Sequence, residues 1–167
     1  MSPRAGTGAS GRRRDVHDRA LGLLAVRQRS GAELRRRLLG AGFDAQEVAA
    51  ELLRLEHVGL IDDHSFARAV VEHAVRSRGE GRRAVHRRLA SAGVDRAVAD
   101  QVVGDLIADD EAGRALELAV SRARRLATLP PEKAFGRLSG FLARRGYPPE
   151  LARWAARKAL ALETFEG

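Results

Sequence analysis

Three stretches of this chain carry nearly the same pattern, and a chain that repeats a short helical unit has few folds open to it. Leu34, Leu38, Gly42 and Phe43 are echoed 51 residues on by Val85, Leu89, Gly93 and Val94. A further 53 residues on come Leu138, Leu142, Gly146 and Tyr147. Each copy places two apolar residues at i and i+4, a glycine four later, and an apolar residue directly after the glycine. That is a helix with one buried stripe, closed by a glycine and restarted after a turn. Arrays of this kind usually present surfaces to other macromolecules rather than enclose a reaction.

The punctuation between the stripes divides the chain further. Residues 1–14 hold Gly, Ser, Pro and Arg with almost nothing to bury, and read as a disordered basic tail. A helix carrying Ala20, Leu21, Leu24 and Ala25 follows. Ser30 then reads as an N-cap with Glu33 completing a capping box. Asp44 caps a helix over Ala45–His57 with Val48, Leu52 and Leu55 on one face. Asp62 or Asp63 opens the next helix, with Phe66, Val70 and Val75 expected inward, and Gly79 and Gly81 break it. After the Val85–Leu89 helix, Asp95 caps one with Val98, Val102 and Leu106 inward. Asp109–Asp110 repeats the Asp62–Asp63 opening, before a helix with Ala115, Leu118 and Leu126. Pro131 suits a helical first turn, with Phe135, Leu138 and Leu142 inward after it. The last helix starts at Pro148–Pro149 and carries Leu151, Trp154, Ala155 and Leu162, with alanine at every position matching Val48, Leu52 and Leu55.

The expectation is an all-α fold of three tandem three-helix repeats, residues 15–60, 61–108 and 109–167, forming an elongated array, straight or curved. Composition agrees: aromatics are 4% and there is no sustained alternation of β-branched residues, so Leu, Val and Ala must build the core. The chain has no cysteine, hence no disulfide and no thiolate metal site. No apolar run reaches the roughly 20 residues of a membrane span, and no signal peptide is visible. A cytoplasmic monomer without cofactor is the simplest expectation.

The net charge is +8, and of 30 basic residues only Lys133 and Lys158 are lysine. Arginines recur in comparable places: Arg35, Arg36 and Arg37; Arg82 and Arg83 with Arg87 and Arg88; Arg122 with Arg124 and Arg125; Arg144 and Arg145. Guanidinium groups hold phosphate or carboxylate through paired hydrogen bonds. Any one of these arginines could simply belong to a solvated face opposite the apolar stripe. As a set, Arg35, Arg36, Arg37, Arg82, Arg83, Arg87, Arg88, Arg122, Arg125, Arg144 and Arg145 are candidates for contact with an acidic or nucleic-acid partner.

Catalytic patterns are lacking. No Gly-x-Ser-x-Gly or His-Glu-x-x-His occurs, so an enzyme is not expected. Asp62–Asp63 reads as a helix cap rather than a cation site, and His57, His64 and His73 have no metal-ligand spacing. Gly79-Glu80-Gly81 lacks the Gly-Lys-Ser or Gly-Lys-Thr of a phosphate loop. Trp154 and Tyr147 read as core or rim residues before base-stacking platforms.

Taken in order, Ser30, Glu33-Leu34, Leu38, Gly42-Phe43, Gly59-Leu60-Ile61-Asp62-Asp63, Phe66-Ala67, Arg78-Gly79-Glu80-Gly81, Leu89, Gly93-Val94 and Phe141-Leu142-Ala143-Arg144-Arg145-Gly146-Tyr147 make the chain resemble the RecX regulatory family. It departs from the family pattern at Leu60, where an aromatic is usual, and at Ala92, where a basic residue is. The resemblance implies a protein that binds the RecA recombinase filament on single-stranded DNA, with duplex DNA a further candidate partner. It implies inhibition of ATP hydrolysis, strand exchange and filament growth. Two other classes stand beside it: a repressor-like helix-turn-helix DNA binder, and a helical scaffold for an acidic protein. Against the first, the chain has no asparagine and only Gln28, Gln46 and Gln101 for reading adenine edges.

Overall fold

A computed structural model describes residues 15–107 and 110–165, with side chains through 162. The tail over 1–14 and Asp109 lie outside the described residues. Nine α-helices and one 3-10 turn, with no strand, make up the described chain: α1 (Val16–Val26), α2 (Gly31–Gly40), α3 (Ala45–His57), α4 (Asp63–Arg78), α5 (Arg82–Ser91), α6 (Arg96–Ile107), α7 (Glu111–Ala123), the turn Arg124–Leu126, α8 (Pro131–Arg144) and α9 (Pro149–Phe165). None of these helices is long and apolar enough to cross a membrane. The chain forms two compact units, one ending at Ile61 and the other beginning at Asp62.

The repeated stripe is the core of each helix triplet. Leu34, Leu38, Val85, Leu89, Leu138 and Leu142 are all fully buried. Each such side chain taken from water stabilises the fold by about 1.5–3 kcal/mol. The turn that ends each stripe helix is the same three times. Gly42, Gly93 and Gly146 have φ of 90°, 76° and 91°. This lets the next residue's N–H fold back on the second stripe leucine: Phe43 to Leu38 at 3.3 Å, Val94 to Leu89 at 3.0 Å, Tyr147 to Leu142 at 3.2 Å. Carbonyls that the helix end would leave unpaired are satisfied in this way.

Side chains start the helices as their sequence suggests. Ser30 Oγ accepts from the Glu33 N–H at 3.1 Å, and Asp44 Oδ1 from Gln46 and Glu47. Asp62 Oδ1 accepts from Ser65 N at 2.9 Å, Asp95 from Ala97 N, and Asp110 from Gly113 N. Pro131 occupies the first turn of α8. Gly81 opens α5 with no side-chain cap of its own, and the unit supplies one from elsewhere, as described below.

In the first unit α1, α2 and α3 enclose Ala20, Leu23, Leu34, Leu38, Val48, Leu52, Leu55 and Ile61. His17 Nδ1 lies 2.6 Å from Glu51 Oε1 and ties α1 to α3. The second unit has two cores. One gathers Phe66, Ala67, Val71, Ala74, Val85, Leu89, Val102, Val103 and Ile107 from α4, α5 and α6. The other packs α9 against α7 and α8 through small side chains: Ala115, Ala119 and Ala123 meet Ala152, Ala155, Ala156 and Ala159. Ala152, Ala156 and Ala159 are the positions that match Val48, Leu52 and Leu55, and all three are buried.

Several residues expected inside sit elsewhere. On α4 the inward row is Phe66, Ala67, Val71 and Ala74, which leaves Val70 and Val75 half-buried. On α6, Ala99, Val103 and Ile107 join Val102 while Val98 and Leu106 sit at the edge. Leu118, Leu126, Phe135 and Leu151 are also half-buried. Trp154, expected at core or rim, lies at the rim with 39% exposed, and Leu162 is 48% exposed, because α9 turns its alanine face inward. Tyr147 is buried, and burial pushes its phenol pKa up.

Candidate partner-binding surface

The arginines divide into those held by the protein's own carboxylates and those left outward. On α2 the buried Glu33 carboxylate accepts from Arg27 at 2.6 Å, Arg29 at 2.5 Å and Arg37 at 3.0 Å. Burial alone would raise the Glu33 pKa. The hydrogen bonds from Arg27, Arg37 and Arg29 outweigh it and hold the carboxyl below the usual glutamate value. Arg37 is therefore half committed to the fold, while Arg35 and Arg36 stand exposed on the outer face of α2.

In the second unit a backbone crossing sets the positions of the rest. Gly81 N donates to the Arg145 carbonyl at 2.8 Å and Arg83 N to the Gly146 carbonyl at 3.2 Å. Arg82 N donates to Glu111 Oε1 at 2.8 Å. The N–H groups at the start of α5 are thus capped by the end of α8 and the start of α7. A Cβ on Gly81 would lie 2.9 Å from the Gly146 carbonyl carbon, so only glycine permits this approach. Arg114 adds a second tie, its guanidinium reaching the Ile107 carbonyl at 2.6 Å.

This crossing carries Arg87 and Arg88 of α5 to the same groove as Arg144 and Arg145 at the end of α8. The groove, about 780 Å³, also takes in Arg78 from the end of α4 and Glu80 from the loop after it. Glu80 is buried and holds Arg88 through both carboxylate oxygens, at 3.1 and 2.5 Å. That hydrogen-bonded pair raises the Arg88 pKa and keeps its guanidinium charged. Gly79-Glu80-Gly81 is thus a helix break with a buried anchor.

The remaining candidates are not in the groove. Arg82 turns its Nε toward the second Glu111 oxygen at 3.9 Å, and Arg83 is exposed. The Arg122 guanidinium lies 5.0 Å from the centre of the Phe141 ring, with that of Arg145 at 5.2 Å. Arg125 is exposed on the 3-10 turn. Arg78 is not among the arginines that the sequence offers as contacts, although it stands in the Arg78-Gly79-Glu80-Gly81 motif and in the last turn of α4.

Asp62 is held in its capping role by hydrogen bonds from the Ser65 backbone and hydroxyl, which lower its pKa. His64 Nε2 faces Gln101 Oε1 at 3.2 Å. Among the described residues no three potential metal ligands converge.

Models of the first, second and third three-helix domains of RecX match residues 17–55, 62–103 and 109–155. A regulatory protein RecX from Amycolatopsis mediterranei (strain U-32) is 39% identical over 130 residues, spanning 78% of this chain and 74% of its own. Another, from Mycobacterium avium (strain 104), is 37% identical over 163 residues, spanning 96% and 94%. The crystal structure of RecX from Lactobacillus salivarius superposes with a TM-score of 0.77 at 17% identity, over 88% of this chain and 95% of that one. A second crystal structure of a regulatory protein RecX gives 0.71 at 20% identity, over 81% and 67%. At those identities the structural likeness is one of fold.

Proposed function

The chain belongs to the RecX family of regulatory proteins, and from that membership we propose that it binds the RecA recombinase filament on single-stranded DNA and inhibits its ATPase, strand exchange and growth. The match of all three helix triplets to the family's domains, in order, carries this reading. The arrangement of charge supports it. Arginines outside the apolar stripes recur along the chain, so a polymer with repeating subunits can be met by several modest contacts that add as avidity. Arg35 and Arg36 on α2, and Arg83, Arg87, Arg125 and Arg144 in the second unit, are exposed members of the set and the proposed points of contact. Arg37, Arg82, Arg88, Arg122 and Arg145 are shared with internal partners and act with them. The protein works as a cytoplasmic monomer and does no chemistry of its own.

Titrating the protein into RecA turning over ATP on single-stranded DNA tests this. The ATPase should fall at or below one protein per RecA. Reversing charge at Arg35 and Arg36 should weaken the inhibition, with circular dichroism unchanged. An undiminished ATPase at excess parent protein refutes the function. Sequence-selective binding to duplex DNA would favour the repressor-like reading instead.

A further inference from the structure

We propose that Ser91 is a phosphorylation site, and that its phosphate is captured by the arginines of the groove between α4, α5 and α8, as a switch that withdraws them from a partner. Only the functional consequence rests on the contacts proposed above at Arg87 and Arg144.

Two serines, Ser77 and Ser91, stand among the arginines that line the groove, and both are exposed. Their neighbours set them apart. Arg87 and Arg88 lie four and three residues before Ser91 on α5, so the three side chains share one helix face. Ser77 has Arg76 and Arg78 directly beside it, spacings that point to other sides of α4. A kinase with an acidic substrate cleft chooses its acceptor hydroxyl by basic residues a fixed distance away. Arg87-Arg88-Leu89-Ala90-Ser91 offers such a pair. Ser91 is also the last residue of α5, where a helix end frays, and the Gly93 turn follows it. Its hydroxyl donates to the Arg87 carbonyl at 2.8 Å, a local bond that opening one turn releases.

The chemistry is phosphoryl transfer from a nucleoside triphosphate. The Ser91 oxygen bonds to the γ-phosphorus as the bond from that phosphorus to the β–γ bridging oxygen breaks. The hydroxyl proton passes to the kinase's base, and the nucleoside diphosphate leaves.

The product meets a prepared site. Arg78, Arg87, Arg88, Arg144 and Arg145 line the groove and Glu80 is the one acid on its walls, which leaves four positive charges in excess. A phosphoserine brings about 1.5–2 negative charges at neutral pH and cancels close to half of that excess. Arg88 keeps N–H groups beyond the two that Glu80 accepts. Arg145 is steadied over Phe141, and the Gly81 N–H to Arg145 carbonyl bond fixes the end of α8 against the start of α5. The phosphate therefore finds guanidiniums on both walls and ties α5 to α8. A helix C-terminus disfavours an anion, but that weak dipole effect is outweighed by paired guanidiniums. Arg87 and Arg144, once held by the chain's own phosphate, are lost to a partner.

The test uses the full chain in three measurements. First, the folded protein is incubated with radiolabelled ATP and a basophilic serine kinase that reads arginine three residues before its acceptor. Label should enter the parent and Ser77→Ala and be lost from Ser91→Ala. Second, phosphoserine is placed at position 91 by codon suppression and titrated by phosphorus NMR. Captured by arginine, it should titrate at about pH 5.5 or below, against an ordinary second pKa of about 6. In the Arg87→Gln/Arg144→Gln background it should return to about 6. Third, the phosphorylated chain should need about tenfold more protein than the unmodified one to inhibit the RecA ATPase equally. Label on another residue, no label, a phosphate that titrates alike in both backgrounds, or equal inhibition by both forms overturns the proposal. An unmodified chain that fails to inhibit refutes the recombinase reading instead, and the first two measurements still decide the site.

Discussion

Gly81 packs against Gly146 so closely that its own N–H reaches the carbonyl of the preceding residue, Arg145, at 2.8 Å, and neither glycine has room for a side chain. This contact joins the second and third helix triplets into one unit and brings two pairs of arginines to one groove. It also separates two turns that look alike in sequence. Gly42 and Gly146 share a φ near +90°, but a Cβ on Gly42 meets open space while one on Gly146 runs into Ala84. Gly42→Ala should cost only the left-handed strain, about 1–2 kcal/mol. Gly146→Ala should cost about 3 kcal/mol or more, because overlap is added. Urea unfolding of the two variants measures the difference, and equal costs would show that the close crossing carries no energy.

Glu33 makes stability depend on acid. Its folded pKa lies below the unfolded value, so its contribution is full above the usual glutamate range and is lost as pH falls through the folded pKa. Glu33→Gln should cost about 2 kcal/mol at pH 7, where three arginines lose their carboxylate. The gap between variant and parent should close toward pH 3. A gap independent of pH, read from urea midpoints, would mean that the charge of Glu33 is not what the arginines hold.

The third core should resist enlargement as strongly as the first resists truncation. Leu52 and Ala156 occupy matching places on α3 and α9, and both are buried. Leu52→Ala should cost about 2–5 kcal/mol through the cavity it leaves. Ala156→Leu should cost about 1–3 kcal/mol, because Ala156 is fully buried on the alanine face that α9 packs against α7 and α8. Thermal unfolding of the pair checks both signs.

Much of this was legible because it is local. The i, i+4 leucines, the closing glycines and the Ser and Asp caps are set within a single turn of helix, where sequence spacing and spatial neighbourhood coincide. The alanine stripe of α9 was legible by register with Val48, Leu52 and Leu55. The inward rows of α4 and α6 were misplaced because alanines such as Ala67, Ala74 and Ala99 bury as completely as valines but announce themselves less. The groove was not legible at all. Arg88 and Arg145 lie far apart in the chain, and only the Gly81–Gly146 crossing, a tertiary event, brings them together. Nor could spacing alone reveal that Glu80 anchors Arg88.

Asp62 should behave as a cap. Asp62→Ala should lower stability by about 1 kcal/mol, and Asp62→Asn, which keeps an acceptor for the Ser65 N–H, should lose less. A melting temperature raised by added Mg²⁺ in the parent but not in Asp62→Ala would contradict this and mark a cation ligand.

The most direct measurement is binding of the fluorescently labelled chain to three targets at one salt concentration: RecA alone, oligo-dT alone, and the filament that the two assemble. Contacts that add along a repeating polymer predict affinity for the filament at least tenfold above that for either component. Affinity for the filament no greater than for bare oligo-dT would contradict the account, leaving a basic helical protein that binds DNA and ignores the recombinase.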